Sequence, residues 1–311
     1  MIKRILVLQV FAFCVSGLWA QETLHLGSDQ NWQQVPNDER GQFILEVAKA
    51  KQLVTSGKGS EAAEALTKLK HDFPGIAGAD VNDFIKAELL YAEGKFTKAV
   101  PIYESFLNTY PTSQLYDAGI ERMFQIGTAL LAGHRVPLLK IFRVKGYEEG
   151  VKTMEKLADL GGDAPMAKQA LIAVARHYEK RKKFREAYDT WADIASRWPT
   201  GELGKTALLS MARDLHSGYK GPRYDAAGLA SAKGYYQTYK LRYPEIAAEL
   251  KIDDIIKTID EQMAYKQYTI GKYYQRTGSK TASNIYFTSV KDGWPNSTAD
   301  KMIQYDAAKT K

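Results

Sequence analysis

Five stretches of the chain repeat one arrangement of apolar positions. Each ends in an aromatic residue followed by proline: Phe73-Pro74, Tyr110-Pro111, Trp198-Pro199, Tyr243-Pro244 and Trp294-Pro295. Five residues before the proline stand Leu69, Phe106, Ile194, Tyr239 and Val290, and eight before it Leu66, Tyr103, Trp191, Tyr236 and Phe287. Twelve before it the residue is always small: Ala62, Ala99, Ala187, Ala232 and Ser283. These spacings put small and large side chains on one helix face, with the small one where another helix crosses. The proline forbids continuation.

A second helix precedes each of these, so the pattern predicts pairs. The first pair starts at Asn37 or Asp38, either of which can cap a helix, and carries Phe43, Ile44, Val47 and Ala48 on one stripe. It turns at 57–59 and closes with a helix over 60–73. The second pair spans 84–93 and 96–110, about a turn at Gly94-Lys95. The third begins at Ser113, is interrupted over 133–146, resumes at Tyr147 and stops at Gly161-Gly162 rather than at a proline. The fourth covers 165–199. The fifth starts at Leu203, has a wide glycine-containing turn over 217–224 and continues over 225–243. From Glu245 to about Gln275 the pattern predicts one unbroken helix of roughly 45 Å. A closing helix follows over 281–294, and an amphipathic capping helix over 298–309.

This is the signature of an all-α, right-handed superhelical array of about six helix pairs similar to tetratricopeptide units, whose basic period is ~34 residues. Each pair buries its large residues only against its neighbours. The array occupies 38–311, after an extended, polar lead-in over 21–37 that contains Trp32 and Pro36.

Residues 1–20 differ from the rest. Lys3 and Arg4 precede an apolar run from Ile5 to Val15, and Ser16-Gly17-Leu18-Trp19-Ala20 offers a cleavage site, the pattern of a secretory signal peptide. The one cysteine, Cys14, lies inside it behind Phe13, where acylation would want a small residue. Cleavage after Ala20 therefore predicts a mature chain without thiol or disulfide chemistry. The 43 basic residues, less Lys3 and Arg4, leave 41 against 36 acidic ones, a net charge of +5 in the mature chain. No block of like charge marks a nucleic-acid arm. The densest basic run, Lys180-Arg181-Lys182-Lys183, falls at a turn between helices, a place to rest near anionic lipid headgroups as well as a favourable helix C-terminus. The interruption over 133–146, Gly-His-Arg-Val-Pro-Leu-Leu-Lys-Ile-Phe-Arg-Val-Lys-Gly, is basic and apolar together: either a loop packed on its own repeat or a partner contact.

Catalytic patterns are missing from the sequence. The five histidines are dispersed, with no His-Glu-x-x-His pair, and no nucleophile elbow or phosphate-cradling loop occurs. The adjacent acids Asp253-Asp254 and Glu148-Glu149 point about 100° apart on a helix and form no acid/base pair. The expectation is a non-enzymatic chain with no metal and no cofactor. The nineteen tyrosines exceed what repeat cores need, and Tyr265, Tyr268, Tyr273 and Tyr274 with Lys266, Lys272 and Arg276 suit capture of a peptide or a partner domain.

One segment is more specific. Lys266-Gln-Tyr-Thr-Ile-Gly-Lys-Tyr-Tyr-Gln-Arg-Thr-Gly278, then Ser283-Asn-Ile-Tyr-Phe287 and Trp294-Pro-Asn-Ser-Thr298, resembles the last repeat of the BamD (YfiO/ComL) family, a subunit of the outer-membrane β-barrel assembly machine. Tyr-Pro-Thr-Ser at 110–113 matches the same signature earlier. The resemblance covers 40–300 as repeat pattern and 225–300 more closely. It implies a scaffold in the periplasm, peripheral to the inner face of the outer membrane. It also implies that C-terminal repeats contact a POTRA-domain β-barrel protein, through Lys272, Arg276 and Lys280. The N-terminal repeats would take unfolded outer-membrane protein segments, with Asn82, Lys86 and Tyr91 as groove residues. The chain departs from the family in lacking a mature N-terminal cysteine and in having six pairs rather than five. The alternative is a periplasmic adaptor for cell-envelope or cell-division complexes. Such adaptors usually carry an N-terminal coiled coil, and 21–37 holds no heptads.

Overall fold

The structure, a computed structural model, describes residues 24–26, 32–56, 58–76, 78–138 and 142–309. The leader over 1–20, Cys14 included, lies outside the described residues. Six helix pairs run in order: α1 (Glu39–Thr55) with α2 (Gly59–Asp72), α3 (Ala79–Ala92) with α4 (Phe96–Thr109), and α5 (Tyr116–Leu131) with α6 (Tyr147–Gly161). Then come α7 (Pro165–Lys180) with α8 (Phe184–Arg197), α9 (Gly201–Ser217) with α10 (Ala227–Arg242), and α12 (Ile252–Arg276) with α13 (Lys280–Gly293). A short α11 (Pro244–Glu249) precedes α12, and α14 (Thr298–Lys309) caps the end. Among the described residues there are also two short antiparallel strand pairs: β1 (Leu24–Leu26) with β2 (Trp32–Gln34), inside the lead-in before α1, and β3 (Arg135–Leu138) with β4 (Phe142–Lys145), which interrupts the third pair.

The repeated positions are the core. Ala62, Ala99, Ala187 and Ala232 are fully buried, as are Leu66, Tyr103, Phe106 and Ile194, and Ser283 takes the small position in the last pair. Every aromatic-proline stop has the same backbone. Phe73, Tyr110, Trp198, Tyr243 and Trp294 all sit at φ between −125° and −140° with ψ between 56° and 73°. Each still donates its N–H to the carbonyl four residues back, on Leu69, Phe106, Ile194, Tyr239 and Val290. The following proline excludes the helical region for these residues, so the helix ends there with its last donor satisfied.

First helices end differently. In α3, Lys95 donates to the Leu90 carbonyl and Gly94 to that of Tyr91, with Gly94 left-handed at φ +68°. The same five-residue closure joins His134 to Ala129, Lys183 to Tyr178 and Ser279 to Tyr274. This is the Schellman stop, whose left-handed residue favours glycine. Gly133 and Gly278 supply it, but Lys182 does so as a lysine, at φ +56°.

The core divides into four successive clusters along the chain rather than one centre, and each helix packs chiefly on its sequence neighbours. That is the expected energetics of an array. Asp38 caps α1 as anticipated, its Oδ1 accepting from Gly41 N at 3.0 Å. Ser297 caps α14 through Asp300 N, while the Asp300 carboxylate accepts from Asn296 N.

The unbroken helix over 245–275 is corrected. Pro244 opens α11 as its first residue, and Lys251 at φ 52°, ψ 44° turns the chain left-handed before α12 begins. The remaining 25-residue helix is about 37 Å long. No glycine or proline marks this break. Its one trace is Asp253-Asp254, acids that favour the first turn of a helix.

Candidate functional site

The last inter-repeat turn gathers exposed tyrosine and basic side chains. The α12 helix ends at Arg276, Gly278 closes the turn at φ +86°, and α13 restarts at Lys280. Tyr273 meets Tyr274 edge-on at 5.5 Å, and Tyr274 stacks on Tyr286 at 5.6 Å with planes 11° apart. This ladder stiffens the turn and leaves Tyr273 55% exposed, with Arg276 and Lys280 exposed on either side of it. Exposed aromatic surface flanked by two cations suits a partner that brings carboxylates and apolar groups together.

Lys272 has another task. Its Nζ lies 3.1 Å from Asp306 Oδ2, which also accepts from the Tyr268 hydroxyl at 3.2 Å, so both side chains hold α14 against α12. Burial and then the Asp306 charge push the Tyr268 phenol up. Of the three sequence-derived partner residues, Arg276 and Lys280 thus flank the turn, and Lys272 pins the capping helix. The packing beneath is close: a Cβ on Gly271 would come within 2.5 Å of the Phe287 ring.

At the other end, Asn82 and Lys86 lie on the exposed face of α3, and Asn82 Nδ2 donates to the Gly78 carbonyl at 3.2 Å. Tyr91 does not join them. Nine residues after Asn82, at about 100° per residue, it falls on the opposite side of the helix. There it stacks on Phe96 at 5.2 Å, beneath the Arg122 guanidinium at 4.2 Å.

Arg122 belongs to a polar network that the sequence reading missed. Its Nε and Nη2 each donate to Glu88 at 2.7 Å, and neither side chain has any exposed surface. The Tyr103 hydroxyl donates to the same carboxylate at 2.5 Å, and Arg122 Nη1 donates to Gln125 at 2.6 Å. Gln125 donates to Glu121, which pairs with Lys51. The network therefore ties α1, α3, α4 and α5. Burial alone would lower the Arg122 pKa, but hydrogen bonding and charge from Glu88 override it, and the guanidinium stays ionised. Burial, then the Glu88 charge, holds the Tyr103 phenol well above its ordinary value. A Glu and an Arg 34 residues apart leave no periodic trace in a chain with 25% charged residues.

A cleft of about 700 Å³ opens at the N-terminal edge, between Arg40 and Phe43 of α1, Ile76 and Asp80, and Tyr110 and Ser113. Ser113 Oγ donates to Asp80 Oδ2 at 2.6 Å, so the Tyr-Pro-Thr-Ser segment braces the start of α3. Elsewhere Asp214, 3% exposed, has its pKa raised to about 7 by burial first and the charge of Glu179 second, and its Oδ2 is unbonded. Glu179 itself accepts from Trp191 Nε1 at 2.7 Å. Among the described residues no group of His, Cys, Asp and Glu is arranged to hold a metal ion, and no helix is long and apolar enough to cross a membrane.

A tetratricopeptide repeat family model matches residues 83–113. That segment is α3 with α4 and the stop at Tyr110-Pro111, the most regular pair. The chain is a helical array of such tetratricopeptide-like pairs. No curated protein matches it. Among solved structures it is similar to the kinesin light chain TPR-like repeats of Podosopora anserina, at 14% identity over 64% of this chain and 94% of that one, with a TM-score of 0.34. It is also similar to PilW, a type IV pilus biogenesis factor, at 14% identity over 84% of this chain and 98% of that one, TM-score 0.30. The pilF protein of Pseudomonas aeruginosa shares 14% identity over 85% and 97% of the two chains, TM-score 0.31.

Proposed function

We propose that the chain is a non-enzymatic scaffold on the periplasmic face of the outer membrane, a subunit of the machinery that assembles β-barrel proteins. In this reading its last repeat holds the POTRA-domain barrel protein, and its first repeats take unfolded outer-membrane protein segments. The observation that carries the reading is the surface around the last inter-repeat turn. Tyr273, Arg276 and Lys280 stand exposed beside the stacked Tyr274 and Tyr286, within the segment 266–298 that resembles the BamD family. An adaptor needs a fixed contact of this kind, and the pairing of Lys272 with Asp306 holds α14 against the same helix.

The test is a mild-detergent pull-down of the tagged chain from its own envelope. It should recover a β-barrel protein carrying POTRA domains, and Arg276→Glu, reversing one exposed charge, should reduce that recovery at least tenfold. Recovery of other envelope proteins without such a barrel protein overturns the assignment.

A further inference from the structure

We propose that the β3–β4 hairpin, with the turn between α7 and α8, is a docking site for an anionic lipid surface. The hairpin is two-faced. Its register pairs Val136 with Val144 and Leu138 with Phe142, and Arg135 with Lys145 and Pro137 with Arg143. Side chains alternate along a strand, so one face is apolar and the other basic. The apolar face is anchored only at its base. Val136 is buried in the core of the third pair, beside Leu130 across Gly146, whereas Val144 is 41% and Phe142 63% exposed.

The basic face does not stand alone. Lys145 Nζ lies 5.6 Å from the Tyr147 ring, and Arg181 covers the same ring at 4.1 Å. Tyr147 thereby links Lys145 of the hairpin to Arg181 of the basic run 180–183. Carboxylates nearby have their own partners: Glu148 and Glu149 pair with Lys152, Glu179 accepts from Trp191, and Glu186 pairs with Lys183, which takes that lysine out of the free cations. Among the described residues Arg135, Arg143, Lys145, Arg181 and Lys182 make no ion pair. An exposed phenylalanine on one face and cations free of ion pairs on the other match a bilayer, where the ring enters the acyl boundary and the long basic side chains reach back to headgroup phosphates. An acidic protein would satisfy the cations and leave Phe142 without a reason to project.

Each basic side chain near an anionic surface strengthens binding about fivefold. A label that fluoresces more to the blue in apolar surroundings, placed through Phe142→Cys in a Cys14→Ser full-length chain, reads the contact at its own position. Its emission should shift on vesicles of equal phosphatidylglycerol and phosphatidylcholine, and stay put on phosphatidylcholine alone. The same label through Thr67→Cys, on the exposed side of α2, should not shift. Adding Arg143→Glu and Lys145→Glu, both at exposed positions, should weaken the binding at least a hundredfold without changing helicity. No shift, equal shifts at both positions or on both vesicles, or a shift with polyglutamate in place of lipid would overturn the proposal. Neither partner capture nor Arg276 enters this measurement, so its failure is separable from that of the scaffold reading.

Discussion

Replacing Arg122 with Met strips the buried Glu88 carboxylate of two of its three hydrogen bonds and of its only buried counter-charge. Breaking such a pair costs about 3–5 kcal/mol, because one ion stays behind without water. A second route bounds the figure. Glu88 can take a proton instead, and from an ordinary pKa of ~4.3 that costs about 4 kcal/mol at neutral pH. The two agree, so the variant should lose about 4 kcal/mol at pH 7. The sign of the pH dependence follows. A carboxyl buried without its partner has a folded pKa above its unfolded one, so its stability contribution is present at low pH and lost as pH rises. Relative to the unaltered chain, the variant should therefore regain ~1.4 kcal/mol for each unit of acidification between pH 7 and 5. Pairing Arg122→Met with Glu88→Leu should restore most of the loss at every pH, short of about 1 kcal/mol for the stranded Tyr103 hydroxyl. Arrays open locally, so hydrogen exchange across α3, α4 and α5, read alongside urea unfolding, is the assay. A cost below about 1 kcal/mol, or one that ignores pH, would mean that water reaches the pair, and the argument would fail.

Asp214→Asn should be more stable than the unaltered chain at pH 8, by no more than ~4 kcal/mol, with the gap closing toward pH 5. The sign comes from a folded pKa of about 7 against an ordinary 3.8, a stability present below the lower value and lost through the upper one. Equal pH profiles in thermal melts would contradict it. Lys182→Gly places glycine where three other pairs have it, at Gly94, Gly133 and Gly278, and should raise stability by about 1 kcal/mol, seen as a higher urea midpoint. Gly271→Ala drives a methyl into the Phe287 ring, which stacks on Tyr268, and should cost about 1–3 kcal/mol with faster exchange in α13.

The repeat was legible because its stops are chemical. An aromatic residue before proline has one backbone solution here, reached five times, and the spacing behind it fixes which side chains face inward. The break at Lys251 was hidden for the opposite reason. A lysine accepts the left-handed conformation only because the packing around α11 and α12 repays the strain, and packing is not written at that position. Lys182 tells the same story from the other side, for there the motif fixes the conformation and the residue type follows function or accident. The insertion at 133–146 broke the helical period visibly, but its alternating residues became a hairpin only once β3 and β4 could pair.

Surface residues divide along the same line. Arg276 and Lys280 came from the family resemblance, and here they flank the glycine turn at Gly278 with their side chains exposed. Lys272 and Tyr91 lie within helices, where a rotation of about 100° per residue decides between solvent and neighbour. Lys272 meets Asp306 from a helix that comes 34 residues later, and Tyr91 meets Arg122 from one 31 residues later. One repeat's spacing is therefore the range over which this chain's own period cannot say who faces whom. The hairpin escapes that limit because its two strands are neighbours in sequence: Phe142 and Val144 project on one side of four consecutive exposed residues, while Arg143 and Lys145 project on the other. Its two-faced character is thus a local property, independent of the superhelix, and a lipid surface is the partner that would use both faces at once.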